Sequence, residues 1–207
     1  MNKLEKTFDY VSNFAWNQLE SKCDLTEEEK EFIEETINIL YESNGLNHKK
    51  QTLIGDIFEQ IEITINSVSF RNNQENIDAL IQITDDKTRK KTSSNMIALS
   101  NENSFNYNRY LMVYELGHYI FDFDPKASKL PWAHVYYKDM NKDVLMERRA
   151  DYFALAMIMG KEMFSDWFNQ LLEKEADNDN RLMILAAKFQ ADINQVERRI
   201  KDLNLIK

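Results

Sequence analysis

Apolar residues at Phe8, Val11, Phe14, Ala15 and Leu19 recur at three- and four-residue spacing, which predicts an amphipathic helix over about residues 3–21. Thr26 with Glu29 reads as a capping box that opens a second helix over about 27–43, with Phe32, Ile33, Ile37, Ile39 and Leu40 as its apolar positions. Gly45 closes it. The period then shortens to two. Residues 61–70 and 77–83 alternate apolar and polar side chains, and 96–99 is a shorter run of the same kind, so strands of a small sheet are expected there. The helical period returns over 110–121 and 144–159, separated by a long loop marked by Pro125 and Pro131. Shorter helices are expected near 161–175, 181–189 and 192–202. Helices, a small sheet and then helices again make an α+β fold.

Composition supports a helix-rich chain, with only four glycines and two prolines among 207 residues. Hydrophobic residues at 43% and charged residues at 29% place it among folded proteins. The length suits one core with helical additions, read as an extension at 1–45, a core at 46–175 and a helix-turn-helix-like segment at 176–207 packed on the core. A net charge of -9 opposes broad, non-specific nucleic-acid binding. The charged tract at 85–92 reads as a solvated loop, because no aromatic residue interleaves it. Cys23 is the only cysteine, which excludes an intramolecular disulfide and a cysteine-built zinc site. No signal-peptide pattern opens the chain, and the longest apolar stretch, 152–159, is far too short to span a bilayer. A cytoplasmic protein with no membrane partner is expected.

Candidate chemistry lies in Tyr114-Glu115-Leu116-Gly117-His118. In a zinc-peptidase helix two histidines four residues apart project from one face toward one metal, and the glutamate after the first serves as general base. Glu115 and His118 keep the base and second-ligand spacing, and Tyr114 stands where the first ligand would be. Alone, this segment also reads as an amphipathic helix with a core histidine. A second segment, Glu147-Arg148-Arg149-Ala150-Asp151, narrows the choice. Glu147 and Asp151, four apart, share a helix face. Glu147 can serve as a third ligand, and Asp151 can accept the spare ring N–H of a ligating histidine.

The two segments together resemble the ImmA/IrrE-type metallopeptidases. The likeness rests on residues 97–100, on the run from Arg109 through Tyr114, Glu115 and His118, on Glu147, Ala150, Asp151, Phe153 and Ala154, and on a C-terminal helical stretch with Val196, Arg198 and Arg199. The resemblance spans roughly residues 50–205. It implies a zincin-like fold and a cytoplasmic zinc endopeptidase acting in gene regulation, with helix-turn-helix repressors as substrates. It further implies Glu115 as general base and His118 and Glu147 as metal ligands.

Tyr114 is the departure from that family pattern. A phenol has a reference pKa of about 10 and ordinarily must lose its proton to bind a metal well. With His118 and Glu147 as the remaining ligands, zinc is expected to be weak or absent, and the protein to act as a pseudopeptidase that binds a protein partner. The alternative is an active peptidase with a substitute ligand: Tyr114 itself, Asp122 one helical turn past His118, or His134 on the proline-flanked loop. The plainer reading leaves His134 at the surface, and His48 has no local partner pattern. A DNA-binding regulator would use Arg181, Lys188, Arg198, Arg199 and Lys201, but Asp177, Asp179, Asp192, Glu197 and Asp202 interleave them as on a solvated face.

Overall fold

In the computed structural model, the described residues are 4–16, 24–46, 54–70, 76–84, 95–126, 128–138, 144–174 and 177–206. The loop at 85–92, His48 and Cys23 lie outside them. One four-stranded sheet has the order β1-β3-β2-β4, from β1 (Thr64–Val68), β2 (Ile77–Ile83), β3 (Met96–Ser100) and β4 (Trp132–Tyr137). β1 runs parallel to β3, and β2 runs antiparallel to both β3 and β4. Ile97, Ala98, Leu99 and Ser100 are all buried, as an interior strand covered on both faces requires. In β2, Ala79, Ile81 and Ile83 alternate into the core.

The helices are α1 (Glu5–Ser12), α2 (Glu27–Ser43), α3 (Ile54–Gln60), α4 (Phe105–Asp122), α5 (Leu145–Ile158), α6 (Lys161–Glu173), α7 (Asn178–Phe189) and α8 (Ile193–Asp202). α4 packs on β2 and β3 and lies along α5. Its residues 113–120 are all buried, so it is a core helix rather than an amphipathic surface one. Gly117 sets the α4–α5 approach: a Cβ there would lie 3.0 Å from Ala150 Cα. None of the helices among the described residues is long and apolar enough to cross a membrane.

The mixed α+β architecture and its helix-rich character follow the sequence expectation, with four local differences. α1 stops at Ser12, because Ser12 Oγ and Asn13 Nδ2 both donate to Asp9 O, at 3.0 and 2.7 Å, and occupy the carbonyl a longer helix would use. Phe14 and Trp16 then turn inward against Phe32. α3 is too short to announce itself by periodicity, and it shortens the expected first strand, whose leading residues close that helix. The proline-marked loop is not all loop, since it contains β4. The Thr26–Glu29 capping box forms as expected, with Glu29 N–H donating to Thr26 Oγ1 at 3.2 Å and Thr26 N–H to Glu29 Oε2 at 2.7 Å.

The outer helices are tied to this core by specific bonds. Arg109 donates to the carbonyl of Phe189 at 2.7 Å, which anchors the end of α7 to α4. Arg199, fully buried on α8, donates to Met159 O at 3.0 Å and pairs with Glu34 of α2 at 2.6 Å.

Candidate metal centre

The site forms where α4, α5 and β4 meet, and its spacing follows from helix and strand geometry. Two residues along a strand advance about 6.7 Å, and four residues along a helix about 6 Å, so alternate β4 residues can match successive turns of α4. Trp132 accordingly meets Phe123 with ring centroids 5.5 Å apart, His134 meets His118 at 3.6 Å, and Tyr136 meets Tyr114 at 5.2 Å. The period-two pattern Trp132-x-His134-x-Tyr136 was the available sequence signal, obscured by its setting directly after Pro131. His134 is therefore not a surface residue: β4 pairs with β2 in the register Ile81↔His134 and turns its ring onto α4.

Both imidazoles are held from behind by a carboxylate. His118 Nδ1 lies 2.6 Å from Asp122 Oδ2, and His134 Nδ1 lies 2.9 Å from Glu115 Oε2. If each Nδ1 carries the shared proton, each Nε2 presents its lone pair, and both face the same carboxylate. His118 Nε2 lies 3.5 Å from Glu147 Oε2, and His134 Nε2 lies 3.6 Å from Glu147 Oε1. His118 Nε2 is buried without a hydrogen-bond partner, and so is Glu115 Oε1. Lone pairs facing an anion call for positive charge between them, supplied by protons or by a metal ion. Ligand atoms of His118, His134 and Glu147 all lie within 4.8 Å of one another, and two imidazoles with one carboxylate match the donor set of catalytic zinc sites. These three residues could hold a metal.

The electrostatics fit a site that concentrates positive charge against Glu147. Burial alone would raise Glu147, but the His118 and His134 rings and the Tyr114 hydroxyl outweigh it and hold its carboxyl well below the usual carboxylate range. Burial would lower His134, yet Glu115 and Glu147 push its pKa up to about 9. His118 is also raised, because Asp122 and Glu147 overcome its burial. Glu115 is raised by its complete burial, against the pull of His134.

Tyr114 sits fully buried beside this group, and its hydroxyl donates to Glu147 Oε2. Burial, and then that bond, raise its pKa, so the phenol keeps its proton and acts as a donor to Glu147. Its hydroxyl is thus turned to the carboxylate of Glu147. Asp122 has the helical position expected of it but points at His118 Nδ1, and Arg149 Nη2 clamps its other oxygen at 2.8 Å. Asp122 thus takes the orienting place expected of Asp151. Asp151 instead accepts from Tyr110 at 2.5 Å and pairs with Arg198 of α8. Arg149 also lies 4.4 Å above the Trp16 ring, which connects the N-terminal helices to His118 through Asp122.

No curated protein and no solved structure gives a significant match to the chain. Residues 70–201 match the family model Peptidase M78, described as the IrrE N-terminal-like domain, a span that includes α4, β4, α5 and every residue of the centre. With well over half its length inside that match, the chain belongs to the IrrE N-terminal-like peptidase family and is a metallopeptidase-fold protein.

Proposed function

We propose that this protein is a zinc-dependent endopeptidase in which His134 takes over the part left open by Tyr114, and that it acts on a helix-turn-helix repressor in gene regulation. The observation that carries this reading is the convergence of His118, His134 and Glu147 within 4.8 Å, with His118 Nε2 unpartnered. Zinc held by such a donor set supplies Lewis acidity and lowers the pKa of water to about 7. Asp122 and Glu115 orient the two imidazoles and favour the tautomer that leaves each Nε2 open. Glu115 Oε1 remains available to accept a proton from water and return it to the leaving amine. Tyr114 fixes the Glu147 carboxylate by donating to it.

A second reading is a pseudopeptidase that binds a protein partner. The observation favouring it is that Glu115 Oε2 is engaged by His134, which leaves the general base half committed. A DNA-binding role has less support. Arg198 and Arg199 are spent on Asp151 and Glu34, while Arg181 and Lys188 lie over Phe168 and Trp167 at 5.6 and 4.9 Å.

Incubation of zinc-loaded protein with a helix-turn-helix repressor tests the proposal. One discrete cut, abolished in Glu115→Gln and in His134→Ala, is expected. Stoichiometric zinc without any cut, together with repressor binding that survives Glu115→Gln, would favour the pseudopeptidase.

A further inference from the structure

A second feature lies away from the metal centre, between the segment 10–16 and α2. An open surface groove of about 540 Å³ is lined there by Tyr10, Phe14 and Phe32, with Glu28, Glu31 and Glu35 around it. The rings are ordered against one another: Tyr10 stacks on Phe32 at 4.7 Å and 11°, and Phe14 stacks on it at 3.9 Å and 21°. All three glutamates are exposed and follow one face of α2. Glu28 stands in the first turn, where the helix dipole favours a carboxylate, but Glu31 and Glu35 lie beyond that turn. No salt bridge among the described residues reaches any of the three; on this helix Lys30 is paired with Glu27 instead. Asn38 donates to Glu35 Oε2 at 3.1 Å, a neutral partner that leaves the charge of the carboxylate unbalanced. Tyr10 is raised by burial and by Glu35, so that carboxylate acts on the ring it borders.

Aromatic faces beside carboxylates without a cationic partner are complementary to an organic cation, and a guanidinium fits best because it stacks flat and bonds carboxylates in pairs. The aromatic cluster already holds one: Arg149 lies over Trp16, whose ring packs edge-on against Phe14 and Phe32. We propose that the α1–α2 groove is a docking site for an arginine side chain on a basic segment of a protein partner, with the ring face of Tyr10 turned away from Phe32 taking the guanidinium plane and Glu31 and Glu35 its N–H groups. Such a site would give the N-terminal helices a recognition task separate from the metal centre. None of its residues belongs to that centre, so it stands independently of the peptidase reading.

The test is fluorescence anisotropy of the full-length protein with a dye-labelled octapeptide of alternating alanine and arginine, run with and without excess chelator. Saturable binding, unchanged by chelator, is expected. Replacing arginine by citrulline, which keeps the shape and loses the charge, should abolish it. Glu31→Lys/Glu35→Lys should weaken binding about tenfold or more. Glu162→Lys/Glu173→Lys, the same charge change on exposed positions of α6, should change it less than twofold. Tyr10→Leu, checked for an unchanged thermal melt, should weaken binding about two- to fivefold through loss of the ring face. Tyr10→Met provides the same measurement if Tyr10→Leu does not fold. Equal weakening by both charge pairs would reduce the effect to net charge and overturn the proposal. So would unchanged binding in the ring variant, or tetramethylammonium chloride binding as tightly as the peptide.

Discussion

His118 and His134 stack with ring centroids 3.6 Å apart and 20° between planes, one from the core helix α4 and one from the edge strand β4. Each is backed by its own carboxylate, and both face Glu147. If His134 substitutes for an imidazole at position 114, the two positions must be coupled. His134→Ala should lower zinc affinity at least 10- to 100-fold, the range seen for losing even an orienting partner. Tyr114→His should raise affinity and make it nearly independent of His134, so that His134→Ala costs less than threefold in that background. Competition against a chromophoric chelator measures all four proteins. Additive losses would show that the two positions do not serve one metal.

Proton and metal compete for this site, which fixes the sign of its pH dependence. His134 has a folded pKa of about 9, above the ordinary 6.5. In the metal-free protein its stabilising contribution is fully present below pH 6.5 and is lost as pH rises through about 9. Zinc takes the neutral ring, so binding there expels a proton near neutral pH. Affinity should therefore climb between pH 6.5 and 8.5 by up to about tenfold per unit, and proton release should appear as a buffer-dependent calorimetric heat. A flat profile would mean that His134 does not change protonation when zinc binds.

Much of this was legible in the chain and some was not, for identifiable reasons. The periods of α2 and β2 report burial on one face and could be read directly, whereas α4, α5 and β3, buried almost all round, were legible as apolar runs of helix and strand length. Glu115, His118 and Glu147 sit on two such helices, and their spacing was enough to single them out. His134 reaches the site through the pairing of β4 with β2, a pairing distant in sequence and invisible to local periodicity. Asp151 and Asp122 both lie on helices where they could orient a histidine. Which of them does so depends on the rotation of α5 against α4, and that is set by the close approach of Gly117 to Ala150. The reach of Arg149 from Asp122 to Trp16 likewise exists only once the N-terminal helices have docked.

That reach gives the N-terminal segment a measurable effect on the centre. Arg149 on α5 is buried and the Asp122 side chain at the end of α4 is mostly so, and their pair is 2.8 Å long. Removing one partner of a buried pair costs about 3–5 kcal/mol, because the other charge is left uncompensated. Arg149→Met should show this loss in urea unfolding and should also weaken zinc binding, since Asp122 loses the clamp that aims it at His118. Adding Asp122→Asn should restore most of the stability, yet leave zinc affinity at least about tenfold below the parent protein. If affinity returns together with stability, Arg149 acts only on folding.

Gly117 offers a separate check on the distance between the metal-binding helices. Alanine is favoured over glycine inside a helix by about 1 kcal/mol. Against that gain, the new Cβ would lie 3.0 Å from Ala150 Cα and 3.3 Å from its Cβ and carbonyl oxygen. The nearest atom is backbone of a buried helix and cannot swing aside, so α4 and α5 must separate. Overpacking of this kind costs about 1–3 kcal/mol, and the net effect of Gly117→Ala should be destabilising despite the better helix former. Separation also moves His118 away from Glu147, so zinc affinity should fall with stability. Gly117→Ala combined with Ala150→Gly removes the colliding Cβ but leaves the α5 backbone in the way, and should recover only part of both losses. Unchanged zinc affinity in a destabilised Gly117→Ala protein would mean that the α4–α5 spacing does not govern the centre.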